Sequence, residues 1–234
     1  MSVSNTDIFL LDLRSHQDMH DTSNPDKPGI SIMGKEQKAW LKAEMEKSEA
    51  DFFFIVSSVN FTIPHEGGTG SSTADGAAAQ SGRDDAWTSY VEERKYMIDF
   101  WESLDRPVFL LTGDLHNSFA VKVTDNIWEF ASGPHNSRNH ALGAEGNRPV
   151  NGKFNSRGRE VDIKWSTAIL NDVPGGLQYT PSYCVVQINN VFNNPVEEGA
   201  DRWVAFPRPH VIFQYYNGLT GDLLYAETIH SRGK

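Results

Sequence analysis

Three runs of mostly apolar residues constrain the fold of this 234-residue chain more than any other feature. They lie at residues 8–11, 52–59 and 108–111, and each has the length and composition of a buried strand. Strong helix formers with one apolar stripe occupy residues 35–47, and apolar residues recur at helical spacing over residues 87–104. The order strand, helix, strand, helix, strand predicts an α/β fold in which helices flank a mainly parallel sheet.

The second half of the chain has a different pattern. Phe119, Val121 and Val123 alternate with Ala120 and Lys122, and a short strand at residues 127–131 completes a predicted hairpin. Residues 132–180 are polar and rich in Gly and Asn, which predicts a long loop. Three further strands are predicted at residues 183–188, 211–216 and 223–229. We therefore expect a helix-flanked mixed sheet with antiparallel strands toward the C-terminus, in a single domain over residues 1–234.

The composition and net charge of the chain limit the classes of molecule that it can bind. The net charge of −10 argues against nucleic acid as the main partner, because an acidic surface repels phosphates. No run approaches the roughly 18 apolar residues of a membrane span, and no targeting signal is evident, so the compartment stays unknown. The single cysteine, Cys184, has apolar neighbours and is predicted to be a core thiol.

Polar residues directly follow the third apolar run. Gly113 ends the strand, and Asp114 and His116 follow with one residue between them. Ligands of open α/β sheets bind just beyond the carboxyl ends of the strands, and a carboxylate and an imidazole there can both face a metal ion. Alternatively, this is a strand-end turn in which Asp114 bonds its own backbone and His116 is packed or solvated.

Weaker candidates lie elsewhere in the chain. His65 follows a strand end and carries little signal of its own, and Asn117 is expected to form a turn rather than bind a ligand. His140 lies in the long polar loop, where its ring either reaches a substrate or is simply solvated. Residues 67–82 contain mostly Gly, Ser, Thr and Ala, which is typical of a mobile lid or of disorder.

Three segments in order resemble the PhoD-like phosphatases, the alkaline phosphatase D branch of the calcineurin-like metallophosphoesterases. Asp12-Leu13-Arg14 is similar to the strand end Asp-x-Arg of that family. Residues 33–41, Met-Gly-Lys-Glu-Gln-Lys-Ala-Trp-Leu, resemble its helix start, and residues 112–116, Thr-Gly-Asp-Leu-His, resemble its Thr-Gly-Asp-x-His segment. The resemblance covers most of this chain and corresponds to the C-terminal half of the family's domain.

The resemblance implies a phosphomonoesterase or phosphodiesterase in which metal ions (Fe, Ca, Mn or Zn) activate a water molecule. It places Asp114 and His116 among the metal ligands or catalytic groups. Arg14 is expected either to bind a phosphate oxygen of a small phosphoester substrate or to pair with a carboxylate. His135 and Arg138, in the polar loop, are further candidates for substrate binding, with solvated loop residues as the alternative.

The resemblance also implies metal-binding segments upstream, including a Gly-Asp-x-x-Tyr, which this sequence does not contain. We therefore expect the other half of the site to lie outside this chain and to be its partner. Two alternatives stay open. The chain is a non-catalytic remnant or interaction module, or it is a metal-free α/β domain that binds phosphate through Arg14 and the loop near Arg138.

Overall fold

The computed structural model describes residues 1–19, 27–65, 86–170, 179–190 and 208–232. Its helices are α1 (Lys35–Lys47) and α2 (Val91–Ser103). Its strands are β1 (Ser2–Val3), β2 (Thr6–Leu10), β3 (Phe52–Val56), β4 (Val108–Thr112), β5 (Phe119–Lys122), β6 (Ile127–Ala131), β7 (Gly152–Ser156), β8 (Arg159–Ser166), β9 (Ser182–Asn189), β10 (His210–Asn217) and β11 (Leu223–His230). Within these ranges, no helix is long and apolar enough to cross a membrane.

The larger sheet has eight strands in the order β1-β2-β3-β4-β6-β5-β8-β7. Strands β2, β3, β4 and β6 are parallel, and the other neighbours pair in antiparallel fashion. Phe9 pairs with Ile55, and Ile55 pairs with Leu110, so the three predicted apolar runs are adjacent strands in register. The carboxyl ends of β2, β3 and β4 therefore meet at one edge of the sheet.

Helices α1 and α2 cover one face of this sheet, where Phe53, Ile55 and Leu110 pack against Leu41 and Trp101. Both helices lie close to the predicted ranges, although α2 begins at Val91 and a short 3-10 turn, Trp87–Ser89, precedes it. The apolar stripes of these helices are buried against the strands, which is the main stabilising contribution on this side.

A second sheet covers the other face. It contains β9, β10 and β11 in the order β11-β10-β9, all antiparallel. Phe213 of this sheet stacks on Phe130 and also contacts Phe54 and Phe109 of the main sheet. Because both of its faces are covered, β3 consists of consecutive apolar residues rather than alternating ones.

The prediction of a helix-flanked sheet is therefore only partly right. Helices cover one face, and a sheet covers the other, so the described residues form three layers rather than a sheet between two helical layers. Residues 132–180, which were predicted to be loop, contain the β7–β8 hairpin. That prediction was wrong because Lys153, Glu160 and other polar residues point to solvent from this edge hairpin and mask its alternation. The predicted lid at 67–82 lies outside the described residues.

Three packing contacts concern residues that the sequence made notable. Gln37 at the start of α1 exchanges hydrogen bonds with the backbone of Asp12, at 2.9 Å each, and so fixes the helix to the chain that leaves β2. Trp40 packs its ring edge-on against Phe9. Cys184 is half-buried and packs against the core between the sheets, where burial raises the pKa of its thiol to about 12.

Candidate functional site

Four polar side chains converge at the carboxyl end of the main sheet. Arg14 follows β2, His65 follows β3, and Asp114 and His116 follow β4. Because β2, β3 and β4 are parallel neighbours, these segments leave the sheet at the same edge. The sequence thus delivers side chains that are far apart along the chain to one place.

Asp114 lies at the centre of this group. Its backbone has a φ of 67°, a left-handed conformation that Asp tolerates better than most residues, and this turn points the carboxylate away from the strand. The Nδ1 atom of His65 lies 3.5 Å from Oδ2 of Asp114. The hydrogen bond from His65 holds the pKa of Asp114 below the usual carboxyl value; burial opposes this, and the charges of His65, Arg14 and His116 add to it. Asp114 is therefore an anion at neutral pH.

His116 is held through one ring nitrogen. Its Nδ1 lies 2.9 Å from the backbone oxygen of Arg138 and 3.1 Å from the hydroxyl of Ser137. An Nδ1–H that donates to the carbonyl of Arg138 leaves Nε2 with a lone pair, available to a proton or a cation. A histidine that binds a metal ion or accepts a proton through Nε2 has this tautomer.

A third imidazole, that of His140, lies between the other two. Its ring centroid is 4.1 Å from that of His116 and 5.4 Å from that of His65, and the rings are nearly parallel. Burial lowers the pKa of His140 to about 4, and the charges of His116 and His65 act in the same direction. His140 is therefore neutral at physiological pH, so it packs between two imidazoles without adding charge.

The donor set at this site fits a metal ion only in part. Asp114 and His116 offer a carboxylate and an imidazole, but within the described ranges no three His, Cys, Asp or Glu side chains have the geometry of a metal site. Two protein ligands compete poorly with water for a cation. The described residues alone therefore do not form a metal site.

Comparison with known proteins identifies the family. A model of the PhoD-like phosphatase family matches residues 4–167. The chain belongs to the PhoD-like phosphatase family. A solved structure described as "Structure of PhoD" is similar at 16% sequence identity and a TM-score of 0.45; the match covers 97% of this chain and 42% of that one. No curated protein matches the sequence.

The structure of this PhoD-like chain brings only some of the predicted site residues close together. Arg14, Asp114 and His116 lie within electrostatic reach of one another. Arg138 contacts the site through its backbone oxygen, and its side chain is exposed. His135 is exposed on the same loop. Their predicted roles in catalysis, metal binding and substrate binding stay predictions.

Sequence reasoning gave both His65 and His140 little weight. A signal for His65 existed: it follows the strand next to β4, and neighbouring parallel strands deliver their following residues to one edge. No local signal existed for His140, which reaches the site from residues with no regular secondary structure.

A buried polar network lies directly behind these histidines. Asn117 donates from Nδ2 to Glu145 at 2.7 Å, and its Oδ1 accepts from Asn139 and Thr167 at 3.1 Å each. Arg148 pairs with Glu145 at 2.6 Å, and both side chains are fully buried. Asn117 is thus an internal connector that fixes the chain after His116.

Proposed function

We propose that this chain forms one side of the active site of a phosphoester hydrolase. Asp114 and His116 act as catalytic and metal-binding groups, and Arg14 binds a phosphate oxygen. The observation that carries this proposal is the environment of Asp114, an anion with His65, His116 and Arg14 around it at the carboxyl edge of the sheet. Membership of the PhoD-like phosphatase family supports the same reaction class.

The remaining metal donors are proposed to lie outside the described residues, on this polypeptide or on a partner chain. Two observations support this part. The described residues offer no cluster of three donors, and the sequence lacks the Gly-Asp-x-x-Tyr segment that the family resemblance implies. A bound metal (Fe, Ca, Mn or Zn) would supply an activated water for attack on phosphorus.

The groups on this chain have defined tasks in that proposal. The Asp114 carboxylate supplies negative charge for a cation, and Nε2 of His116 supplies a lone pair. The guanidinium of Arg14 matches two oxygens of a phosphoryl group and offsets the repulsion expected from a chain with a net charge of −10. In this proposal Arg138 and His135, which are exposed on the adjacent loop, contact the rest of a small phosphoester.

The first experiment measures hydrolysis and metal content of the isolated chain. We expect weak binding of Fe, Ca, Mn and Zn, and little hydrolysis of p-nitrophenyl phosphate, because two ligands do not hold a catalytic metal. Rapid hydrolysis by the isolated chain, abolished by Asp114→Asn, would show instead that this chain contains a complete site.

The second experiment uses the complete form, in which this chain is joined to the residues that supply the other donors. Asp114→Asn keeps the shape of the side chain and removes its charge, so turnover should fall at least about a hundredfold. Asp125→Asn is the matched control, because Asp125 is an exposed carboxylate in a surface pair with Lys122. Equal activity of the two variants would contradict the assignment of Asp114.

A phosphate-binding module without catalysis is the second candidate, and the cation of Arg14 near the carboxyl edge of the sheet is the observation behind it. It predicts that the isolated chain binds inorganic phosphate without added metal and that Arg14→Ala abolishes this binding. Calorimetric titration of phosphate in the presence of a chelator distinguishes the two. No heat of binding would exclude the module.

A further inference from the structure

Glu129 is a fully buried carboxylate within the main sheet, and the role assigned to the site above does not use it. It lies in β6, opposite Leu110 of β4, on the face that α1 and α2 cover. A carboxylate without solvent contact must have its oxygens satisfied by hydrogen bonds. Within the described ranges, the hydrogen-bond partners of Glu129 come from two segments, and each segment leads to a side chain of the candidate site.

The first segment is the turn that follows β3. Oε1 of Glu129 accepts from the backbone N–H of Phe61 at 2.8 Å, and Oε2 accepts from the backbone N–H of Thr62, also at 2.8 Å. The hydroxyl of Thr62 donates to the same Oε2 atom, and the amide of Asn60 approaches Oε1. This turn continues directly to His65.

The second segment is the end of β4. The hydroxyl of Thr112 donates to Oε1 of Glu129 at 2.8 Å, and the amide of Asn60 also reaches that hydroxyl at 3.3 Å. Thr112 is the last residue of the strand, and Gly113 and Asp114 follow it. The Glu129 carboxylate therefore binds both the segment that leads to His65 and the segment that leads to Asp114.

The two segments depend on Glu129 to different degrees. Thr112 is also held by the ladder between β4 and β6. Residues 60–62 belong to no strand. Their backbone oxygens are bound by Trp87, Arg94 and Ser156, whereas the backbone N–H groups of Phe61 and Thr62 donate to Glu129. Loss of the carboxylate should therefore displace the turn and His65 while Asp114 stays in place.

We propose that Glu129 is a positioning residue that sets the separation of His65 and Asp114. Its two oxygens accept from both sides of the strand-end cleft, so the turn after β3 is held at a fixed distance from the end of β4. The geometric part of this proposal concerns the chain alone. Its consequence for hydrolysis rests on the proposed function.

The test replaces Glu129 by Gln in the 234-residue chain and follows the histidine rings by NMR. A glutamine amide nitrogen cannot accept from a backbone N–H, so one bond to Phe61 or Thr62 is lost while the volume is kept. We expect loss of the cross-peak between the rings of His65 and His140. The cross-peak between His116 and His140 should persist, because neither residue belongs to the displaced turn.

Amide hydrogen exchange gives a second measurement on the same samples. Loss of the Glu129 bonds should speed exchange at Phe61 and Thr62 roughly tenfold, whereas exchange at Leu110 in β4 should change little. A general loss of stability would instead speed exchange throughout the core.

Glu93→Gln is the matched control. Glu93 is also a buried carboxylate that accepts from consecutive backbone N–H groups, those of Ile32 and Met33, and it has no bond to the turn after β3. It should lower stability without affecting the cross-peak between His65 and His140. Retention of that cross-peak in both variants, or equal loss in both, overturns the proposal.

If Glu129→Gln does not fold, the Thr62→Val variant tests the proposed role of Glu129 instead. It removes one hydroxyl donor and leaves the carboxylate with its backbone partners, so the cross-peak between His65 and His140 should weaken. An unchanged cross-peak in a folded Thr62→Val variant overturns the proposal. If the complete form hydrolyses no phosphoester, the proposed function fails, and these NMR measurements still decide the role of Glu129.

Discussion

The ion pair between Glu145 and Arg148, behind the histidines, allows a quantitative test of how the site is supported. Nε and Nη2 of Arg148 lie 2.7 Å and 2.6 Å from Oε2 of Glu145, and both side chains are 0% exposed. Arg148→Met keeps an apolar stem against the ring of Phe119 and removes the charge. Glu145 then stays buried with Asn117 as its remaining close donor.

Breaking a buried pair by removing one partner leaves an uncompensated charge, and this costs about 3–5 kcal/mol. For a chain of this size, 1 kcal/mol corresponds to roughly 2–4 °C in Tm, so the Tm of Arg148→Met should fall by about 6–20 °C. Urea denaturation followed by circular dichroism should give the same loss of unfolding free energy with an unchanged m-value.

Arg232→Met is the matched control for burial. Arg232 pairs with Asp105 at 2.6 Å, the same distance, but the two side chains are 46% and 72% exposed. Solvent screens such a pair, so its loss should cost at most about 1 kcal/mol. Adding Glu145→Gln to Arg148→Met should recover much of the stability, because it removes the unpaired charge and keeps an acceptor for Asn117. Equal destabilisation by Arg148→Met and Arg232→Met would refute the argument from burial.

Three further predictions concern the site and its neighbours. The pKa of Asp114 is lowered mainly by its hydrogen bond from His65, so this contact stabilises the fold above the ordinary carboxyl pKa and is lost as the pH falls through the lowered pKa. His65→Ala should therefore reduce stability in urea denaturation at pH 6, and this loss should shrink as the pH is lowered through the carboxyl range. The pKa of His140 is lowered to about 4, so stability should fall as the pH drops from about 6.5 toward 4, and His140→Phe should remove that part of the pH dependence; an unchanged slope in stability measurements at a series of pH values would contradict it. Gly146 and Gly158 both have positive φ, but a Cβ on Gly146 would lie 2.6 Å from the ring of the proline before His65, and one on Gly158 would meet nothing within 4 Å. Gly146→Ala should therefore lower the unfolding free energy by about 1–3 kcal/mol more than Gly158→Ala, and equal losses would show that the contact relaxes freely.

The alternation of strands and helices in the first half could be read from the sequence, because the apolar residues that fill the core also set the period of each element. Residues 52–56 are apolar throughout since both faces of β3 are covered, and residues 35–47 combine helix formers with one apolar stripe. The sequence could not show which layer covers each face. A helix or a second sheet can bury an apolar run equally well. Phe213 of β10 packs against Phe130 of the main sheet although the two residues are far apart in the sequence, so local sequence does not indicate this contact.

The β7–β8 hairpin illustrates a second limit. Its outward residues face water at the edge of the sheet, so its polar composition is that of a loop, and its pairing with β5 depends on tertiary contacts of Val161 and Ile163. Local composition is a weak signal wherever an edge strand buries only one face.

Asp114 and His116 could be chosen as strong candidates from the sequence because both follow one strand end with a fixed spacing. His65 and His140 could be named only as weak candidates, since their relation to Asp114 depends on which strands are neighbours and on the path of a segment without regular structure. No local sequence pattern indicated a role for Glu129. Its position in an apolar strand is explained only by the hydrogen-bond donors that two other segments bring to it, because a buried carboxylate is stable where the tertiary fold supplies those donors.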